Sequence, residues 1–325
     1  MSDIKTTFAG LQLRCPLIVG SCSLTASVPN ILKFEKAGAG AVVLKSLFEE
    51  SIIWETKDAA DVAEHPEAYD YIFNAVGNKL VSDYCDLIKE AKSACSIPVI
   101  ASIACHTDGN WASYAGMLQK AGADAIELNV MSLCSLKNYN HGDFERLHIN
   151  IVKKVCQAVS IPVIVKLGAN LSNPVSLADE LYAHGAKGVV LFNRFYPTDI
   201  DVEKLLFTFT NPFTSEGDLS LPLRWAGIIS SALPQLPLAV SGGVHSWKGI
   251  AKSILSGAQA VEAVSAVIKN GPEWISQVLK ELEEWQERKG FADIEMYRGK
   301  MNASEPENAD RLHRTQFMKY FSNVH

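Results

Sequence analysis

Short, uninterrupted apolar segments recur along the whole chain, and polar or amphipathic stretches separate them. We predict eight strands from these segments, at 16–20, 41–45, 98–103, 125–130, 162–167, 188–193, 237–241 and 260–264. Apolar runs of about four to eight residues, without alternation of polar and apolar positions, are typical of strands that are buried on both faces of a parallel sheet.

The stretches between these strands carry apolar residues at helical spacing. They predict helices at 28–37, 81–94, 111–121, 144–159, 174–184, 247–256 and 272–289. Four junctions share one pattern, in which Gly38, Gly122, Gly185 or Gly257 ends a helix just before a strand begins. Strands alternating with helices over 325 residues predict an α/β fold, the (β/α)8 TIM barrel. A doubly wound open sheet is the alternative, but no GxGxxG motif follows the first strand.

Three connections, 46–97, 131–143 and 194–221, are much longer than ordinary strand-to-helix loops. Each follows a strand, so in a barrel all three lie at the C-terminal face, where active sites form. Long ordered loops in compact domains are usually functional. We therefore expect one barrel domain over 1–325, with 302–325 as a C-terminal tail.

The composition excludes several classes of protein. A chain with 48% hydrophobic and 20% charged residues has a folding composition, and a net charge of −6 argues against a nucleic-acid binder. No apolar run reaches the roughly 18 residues of a membrane span, and the first ten residues lack the apolar segment of a secretory signal. The seven cysteines include no CxxC pair, and the histidines have no acidic partners at ligand spacing. We therefore predict no metal site and a reducing, cytoplasmic compartment.

Two lysines end otherwise apolar strands, Lys45 after AVVL and Lys166 after PVIV. A buried ammonium is costly unless an anion or a polar ligand accompanies it. An ion pair with a barrel carboxylate such as Glu127 would explain one of them. Two lysines converging on one barrel mouth favour an anionic or electron-rich ligand.

A glycine pair, Gly242-Gly243, follows the seventh strand and precedes a helix. Glycines allow the backbone to approach a ligand closely, and a helix N-terminus presents N–H groups to an anion. Barrels often bind phosphate between loops 7 and 8, and Ser265 lies where loop 8 would contribute. This pattern favours a cofactor that carries a phosphate, although a simple tight turn is the alternative interpretation.

Asparagines end two further strands. Asn129 follows the fourth strand and Asn193 the sixth, whereas Asn74 lies in the long connection after the second. A side-chain amide offers a donor and an acceptor together, which suits a planar heterocycle with alternating C=O and N–H groups. Any one of them could instead be a turn or cap residue, and for Asn74 that interpretation is nearly as good.

These motifs resemble those of the dihydroorotate dehydrogenases, specifically their soluble, cytosolic class 1 branch. The resemblance extends from "CPLIVGSCS" to "MYRGKM", over nearly the whole chain. The segments similar to family motifs are 15–23, 45–46, 102–104, 127–134, 165–167, 193, 242–244 and 296–301.

The resemblance implies a barrel that holds flavin mononucleotide (FMN) at its C-terminal face. The cofactor-binding residues it implies are Gly20, Ser21, Lys45, Ser46, Asn129, Lys166, Asn193, Gly242, Gly243 and Ser265. The substrate-binding residues would be Asn74, Asn129 and Asn193. In the implied reaction a base removes a proton from one carbon of a dihydropyrimidine, and the neighbouring carbon transfers a hydride to the flavin.

The loop after the fourth strand departs from the family pattern. The family has a base there, Cys in class 1 and Ser in class 2, followed by Pro-Asn. An ungapped match places Ser132 at the base position, with Leu133 and Cys134 in place of Pro-Asn. The resemblance therefore implies Ser132 as the base, Cys134 as the second candidate, and Lys45 as the group that stabilises developing charge. In the phosphate loop, Val264 stands in place of a family glycine.

We expect an FMN-dependent oxidoreductase that oxidises dihydroorotate to orotate in pyrimidine (UMP) biosynthesis. A second hypothesis keeps FMN but has another dihydropyrimidine or unsaturated heterocycle as the substrate. A third, from another class, is a non-catalytic barrel that binds a phosphate ligand. The expected partner is a small-molecule substrate, with a homodimer as the default assembly and no nucleic acid or membrane.

Overall fold

The computed structural model describes residues 3–60, 69–107, 109–130, 135, 137–194 and 198–313, with the backbone alone at 56–60, 69–74 and 209. The strands are β1 (Thr6–Phe8), β2 (Leu11–Leu13), β3 (Leu17–Val19), β4 (Ala41–Val43), β5 (Leu47–Phe48), β6 (Val99–Cys105), β7 (Ala125–Val130), β8 (Val163–Gly168), β9 (Gly188–Asn193), β10 (Thr198–Asp201), β11 (Leu206–Phe209), β12 (Leu238–Ser241) and β13 (Ala260–Ala263). The helices are α1 (Val28–Lys36), α2 (Glu49–Ala60), α3 (Tyr69–Ala94), α4 (Trp111–Lys120), α5 (Asp143–Ala158), α6 (Pro174–Ala183), α7 (Ser220–Ala232), α8 (Trp247–Leu255), α9 (Ser265–Asn270), α10 (Glu273–Arg288) and α11 (Pro306–His313).

Eight parallel strands close into a barrel. They follow the order β3, β4, β6, β7, β8, β9, β12 and β13, and the pairing of β13 with β3 completes the ring. The predicted (β/α)8 TIM barrel is therefore confirmed. Each predicted strand overlaps one of these eight, because both faces of a barrel strand are covered by protein and must be apolar.

The N-terminal end of the barrel is filled by apolar side chains. Alternate residues of each strand point into the barrel, and those at this end are small or branched. The antiparallel hairpin β1–β2 packs beneath them. This cluster comprises Phe8, Ala9, Leu11, Leu13, Ile18, Ala41, Val43, Ile100, Ala125, Ile164, Val190, Ala239 and Ala260. Because this end is closed, the inner space that remains lies toward the C-terminal ends of the strands.

The long connections contain secondary structure that the apolar pattern did not indicate. The first holds β5, α2 and α3, and α3 begins twelve residues before the predicted helix at 81–94. The third holds the antiparallel hairpin β10–β11. The helices α7, α9 and α11 were also not predicted, and α11 lies within the segment 302–325, where it packs against α7. None of the helices in the described part of the chain is long and apolar enough to cross a membrane.

Candidate active site

Every second residue of a barrel strand points inward, and this places polar side chains above the apolar cluster that fills the N-terminal end of the barrel, here called the apolar plug. On β7, Ala125 points into the plug, and Glu127 and Asn129 follow it toward the mouth on the same face. Lys166 follows Ile164 on β8 in the same way, and Glu262 follows Ala260 on β13. The strand pattern therefore brings carboxylates, an ammonium and amides together at the C-terminal end.

A cavity opens at this end of the barrel, between the polar strand ends and the loops that follow them. Six of its lining residues belong to the predicted site: Ser21, Lys166, Asn193, Gly242, Gly243 and Ser265. The wall also includes Arg194, at the end of β9, and residues that the sequence did not single out for a site, among them Phe192, Thr214 and Glu262.

Lys166 and two glutamates form a buried charged triad at the inner end of the cavity. The Nζ atom of Lys166 donates to Glu262 Oε2 at 2.5 Å and lies 3.6 Å from Glu127 Oε1. All three side chains are almost fully buried, with relative exposures of 7% for Lys166, 1% for Glu127 and 2% for Glu262. The ion pair with Glu127 was one interpretation of the sequence, and Glu262 provides a second and shorter contact.

The two carboxyl groups of the triad have opposite pKa shifts. Burial raises the pKa of Glu127, and the negative charge of Glu262 raises it further. Burial would also raise the pKa of Glu262, but the charge of Lys166 and the hydrogen bonds with Glu127 and Lys166 together lower it. Burial would lower the pKa of Lys166, but the two carboxylates raise it. Glu262 is therefore the carboxyl group that pairs with Lys166 as a carboxylate, and Glu127 is the one that holds a proton more readily.

The turn after β12 is built for close approach of its backbone. Gly242 and Gly243 both have positive φ values, 91° and 79°, a conformation that favours glycine. A side chain at Gly243 would collide with the backbone of Leu219, whereas one at Gly242 would meet nothing within 4 Å. The backbone of Gly243 is thus packed under the segment before α7, and Gly242 faces open space in the cavity.

Thr214 joins that segment to the loop after β13. Its backbone N–H donates to Ser265 Oγ at 3.0 Å, and its Oγ1 lies 2.9 Å from His245 Nε2. Burial lowers the pKa of His245, and the charge of Lys269 lowers it further. The hydroxyl groups of Thr214 and Ser265 therefore lie at the end of the cavity that contains the glycine turn, and the imidazole of His245 contacts Thr214.

Three serines connect neighbouring strands on the opposite side of the mouth. Ser46 Oγ lies 3.1 Å from Ser21 Oγ and 2.8 Å from the buried Ser102 Oγ. The backbone N–H of Ser46 also donates to Ser21 Oγ at 3.0 Å. Gly20 directly precedes Ser21, and a side chain at this glycine would collide with the side chains of Val264 and Glu262. Three residues of the predicted cofactor-binding set, Gly20, Ser21 and Ser46, thus lie next to one another.

The two strand-end asparagines contact each other. Asn193 Nδ2 donates to Asn129 Oδ1 at 2.9 Å, and the backbone N–H of Arg194 donates to Asn193 Oδ1 at 2.7 Å. Both amides are half-buried at the mouth. The two amides therefore lie side by side, and Asn193 lines the cavity.

The other predicted residues are placed differently. Lys45 follows β4 and is exposed, and it is not among the described residues that line the cavity. Residue 74 belongs to α3 rather than to a loop, and its side chain lies outside the described residues. Ser132 and Cys134 also lie outside the described residues.

Glu262 is the main lining residue that the sequence interpretation missed. Glu262 is the one charged residue in the apolar strand segment AVEAV, which is the same signal that identified Lys166. Glu262 could have been found by searching the apolar strands for acidic residues as well as for lysines. Arg194 directly follows Asn193, so its place at the end of a strand marks it as a candidate, although it was not among the predicted site residues.

Comparisons with known proteins agree with this architecture. A family model described as dihydroorotate dehydrogenase matches residues 3–285. The catalytic subunit of dihydroorotate dehydrogenase B (NAD⁺) from Thermoplasma volcanium is 30% identical over 307 residues, which cover 91% of this chain and 96% of that protein. The protein of the same name from Methanosarcina mazei is 29% identical over 311 residues, covering 92% and 95%. A putative dihydroorotate dehydrogenase A (fumarate) from Aeropyrum pernix is 27% identical over 319 residues, covering 90% and 95%.

Proposed function

Because the chain belongs to the dihydroorotate dehydrogenase family, whose members are flavin oxidoreductases acting on CH–CH groups, we propose that it binds FMN and oxidises dihydroorotate to orotate in pyrimidine (UMP) biosynthesis. The observation that carries the proposal is the cavity at the barrel mouth, which joins a glycine turn to a buried lysine. Both features suit a phosphate-bearing, electron-rich cofactor.

The residues of the cavity fit FMN by their chemistry. The exposed backbone at Gly242, together with Gly243 and Ser265, would hold the phosphate. The hydroxyl of Ser21 and the amides of Asn129 and Asn193 would provide donors and acceptors for the ring system. Gly20, Ser46 and Lys45 complete the proposed cofactor set. Lys166 would place an ammonium at the inner end, already compensated by Glu262.

Bound FMN would supply the two-electron acceptor of the reaction. The residues of the chain would orient the substrate and move its proton. Asn74, Asn129 and Asn193 would bind the pyrimidine amide groups, and Ser132 would accept a proton from the substrate, with Cys134 as the second candidate. Lys45 would stabilise the charge that develops when this proton leaves.

The first experiment tests the cofactor and the substrate together. Purified protein is expected to carry one FMN, identified by mass spectrometry of the released flavin, and dihydroorotate is expected to bleach its visible absorption under anaerobic conditions. Dihydrouracil, which lacks the carboxylate, serves as the matched compound. NAD⁺, fumarate and a quinone are then compared as acceptors, because the relatives' names include both NAD⁺ and fumarate.

Each outcome of this experiment selects one hypothesis. Bleaching by dihydroorotate supports the proposal. A flavoprotein that only another dihydropyrimidine or unsaturated heterocycle can reduce would support the second hypothesis, which the replacement of the family's Pro-Asn by Leu133-Cys134 favours. Protein that does not retain FMN and takes up none when it is added would leave the non-catalytic phosphate-binding barrel.

An apolar hairpin beside the site points to an assembly. Five large side chains of the β10–β11 region are 55–83% exposed: Ile200, Val202, Leu205, Leu206 and Phe207. Ile200 and Phe207 are direct cross-strand partners, so they form one continuous apolar patch. A two-stranded ribbon alone is marginally stable in water, which favours a covering partner. We propose that a second copy of the chain covers this patch in a homodimer.

Changing Phe207 to serine is expected to shift the protein from dimer to monomer in analytical ultracentrifugation, since it removes the largest exposed side chain of the patch. Trp54→Ser is the matched control, because Trp54 is 65% exposed but lies on α2. If wild-type protein sediments as a monomer, or if both variants dissociate equally, the hairpin is not the homodimer interface.

A further inference from the structure

Arg194 has unused hydrogen-bonding capacity in the wall of the cavity. Its side chain lines the cavity together with Gly242, Gly243 and Ser265. Among the described residues, the buried Nη1 atom has no hydrogen-bond partner. The Nη2 atom donates to the carbonyl oxygen of Asn211 at 3.4 Å, which is longer than an ordinary N–H···O bond. A guanidinium carries five N–H donors, so most of this group is available to a ligand.

The neighbouring carboxylate does not satisfy Arg194. Asp218 accepts from the backbone N–H of Ser215 at 2.7 Å and from its hydroxyl at 2.9 Å. The Ser215 backbone N–H is the main reason that the pKa of Asp218 is lowered, and the charge of Arg194 contributes less. Asp218 is thus a partner of Ser215, and the guanidinium faces the cavity without an ion pair among the described residues.

A buried guanidinium nitrogen without a partner carries a desolvation penalty, which a bound anion would remove. The planar guanidinium fork matches the oxygen geometry of phosphate and carboxylate groups.

We propose that Arg194 binds a terminal oxyanion of the ligand in this cavity, with the phosphate of FMN as the source that its position favours. The carboxylate of the substrate has the same chemistry and is the other possible source. This inference rests on the proposed function, and its test separates the two.

The test compares ligands that differ in the oxyanion alone. Dissociation constants of FMN and riboflavin are measured by flavin fluorescence on full-length protein stripped of its flavin. Arg194→Met is expected to weaken FMN binding at least about tenfold, the lower limit for loss of a charged hydrogen bond, and to change riboflavin binding little. Arg194→Lys should recover part of the FMN affinity, because it keeps the charge but loses the planar fork.

Orotate and uracil provide the second arm, measured on the flavin-loaded protein from the shift of the flavin spectrum. Selective loss of orotate binding, with the ratio of FMN to riboflavin affinity unchanged, would identify the substrate carboxylate as the oxyanion. Lys248→Met is the charge-matched control, since Lys248 is an exposed cation near the glycine turn but outside the cavity wall. Lys248→Met should leave the ratio of FMN to riboflavin affinity and the ratio of orotate to uracil affinity unchanged.

Equal loss of FMN and riboflavin, together with an unchanged ratio of orotate to uracil affinity, would overturn the assignment and leave Arg194 a structural residue. Thermal unfolding of the flavin-free variants, in which Arg194→Met should match wild type, checks this directly. Failure of wild-type protein to bind either flavin would instead remove the proposed function, and with it this inference.

Discussion

Replacing Lys166 with methionine is expected to lower the free energy of unfolding by about 3–5 kcal/mol at neutral pH, because it leaves a buried carboxylate without its cation. Methionine has a similar length and removes the ammonium without opening a large cavity. The charge left behind is Glu262, whose Oε2 atom lies 2.5 Å from Lys166 Nζ. Urea unfolding of the flavin-free protein measures the loss without any contribution from cofactor binding.

The loss should depend on pH in a defined direction. In the wild-type protein Lys166 lowers the pKa of Glu262, so this pair contributes stability above the unfolded-state pKa, and that stability is lost as pH falls through the folded-state pKa. Without Lys166, burial is the main influence on Glu262 and its pKa rises above the unfolded value. The variant should then lose further stability as pH increases from about 4.3 upward, the reference pKa of an unfolded glutamate.

Glu127→Gln is the matched control, and it is expected to leave the free energy of unfolding unchanged or to raise it, whereas Lys166→Met lowers it. Burial raises the pKa of Glu127, so above the unfolded-state pKa the folded protein holds a proton that the unfolded chain releases. Glu127 therefore contributes stability at low pH that is lost as pH rises through its raised pKa. Glutamine keeps the neutral form and should remove this loss, making the variant as stable as wild type or more so at pH near 8. Equal destabilisation by both substitutions would contradict the opposite pKa shifts of Glu127 and Glu262.

The triad also shows how far sequence reasoning reached into the site. The apolar strand pattern identified Lys166 as a costly charge at the barrel mouth, and pairing with Glu127 was considered. The choice between an ion pair and a ligand contact depended on Glu262, which lies 96 residues further along the chain. Only the closure of the barrel, with β13 beside β3, brings that carboxylate across the interior. A pattern within a short stretch of sequence cannot show that Lys166 and Glu262 come into contact.

The fold itself was predictable where burial dictates the residue type. Strands such as 125–130 and 188–193 have the same bounds in the sequence prediction and in the structure. The hairpin β10–β11 was not predicted, because β10 reads TDID and three of its four residues are exposed. Its apolar residues, such as Phe207, point away from the core, so they give no signal for a buried strand. Secondary structure that packs on no core of its own leaves no periodic pattern to find.

The identity of the base is a prediction that depends on the family resemblance, and the candidates are Ser132 and Cys134 in the loop after β7. The loop that holds it leaves β7 at Val130, which pairs with Cys105 on β6. Its start is fixed by Asn129, whose Oδ1 atom accepts from Asn193 at 2.9 Å. Ser132 follows three residues after this anchor, and Cys134 follows five residues after it. The short spacing from a fixed residue favours Ser132 as the base. The chemistry of the side chain favours Cys134, because a free thiol, with a pKa of about 8.5, ionises more readily than a hydroxyl.

Ser132→Ala is expected to lower the rate of flavin reduction by dihydroorotate about 100-fold or more, as loss of a general base typically does, while Cys134→Ser changes it little. Stopped-flow reduction of the flavin measures this step apart from reoxidation, so the identity of the electron acceptor does not enter. Flavin content and dihydroorotate affinity should stay close to wild type in both variants, because neither side chain is proposed to hold the cofactor. A large loss in Cys134→Ser with unaffected Ser132→Ala would reverse the assignment. Full rates in both variants would mean that proton removal at this loop is not part of the reaction, and that the substrate is not a dihydropyrimidine bound in the family's manner.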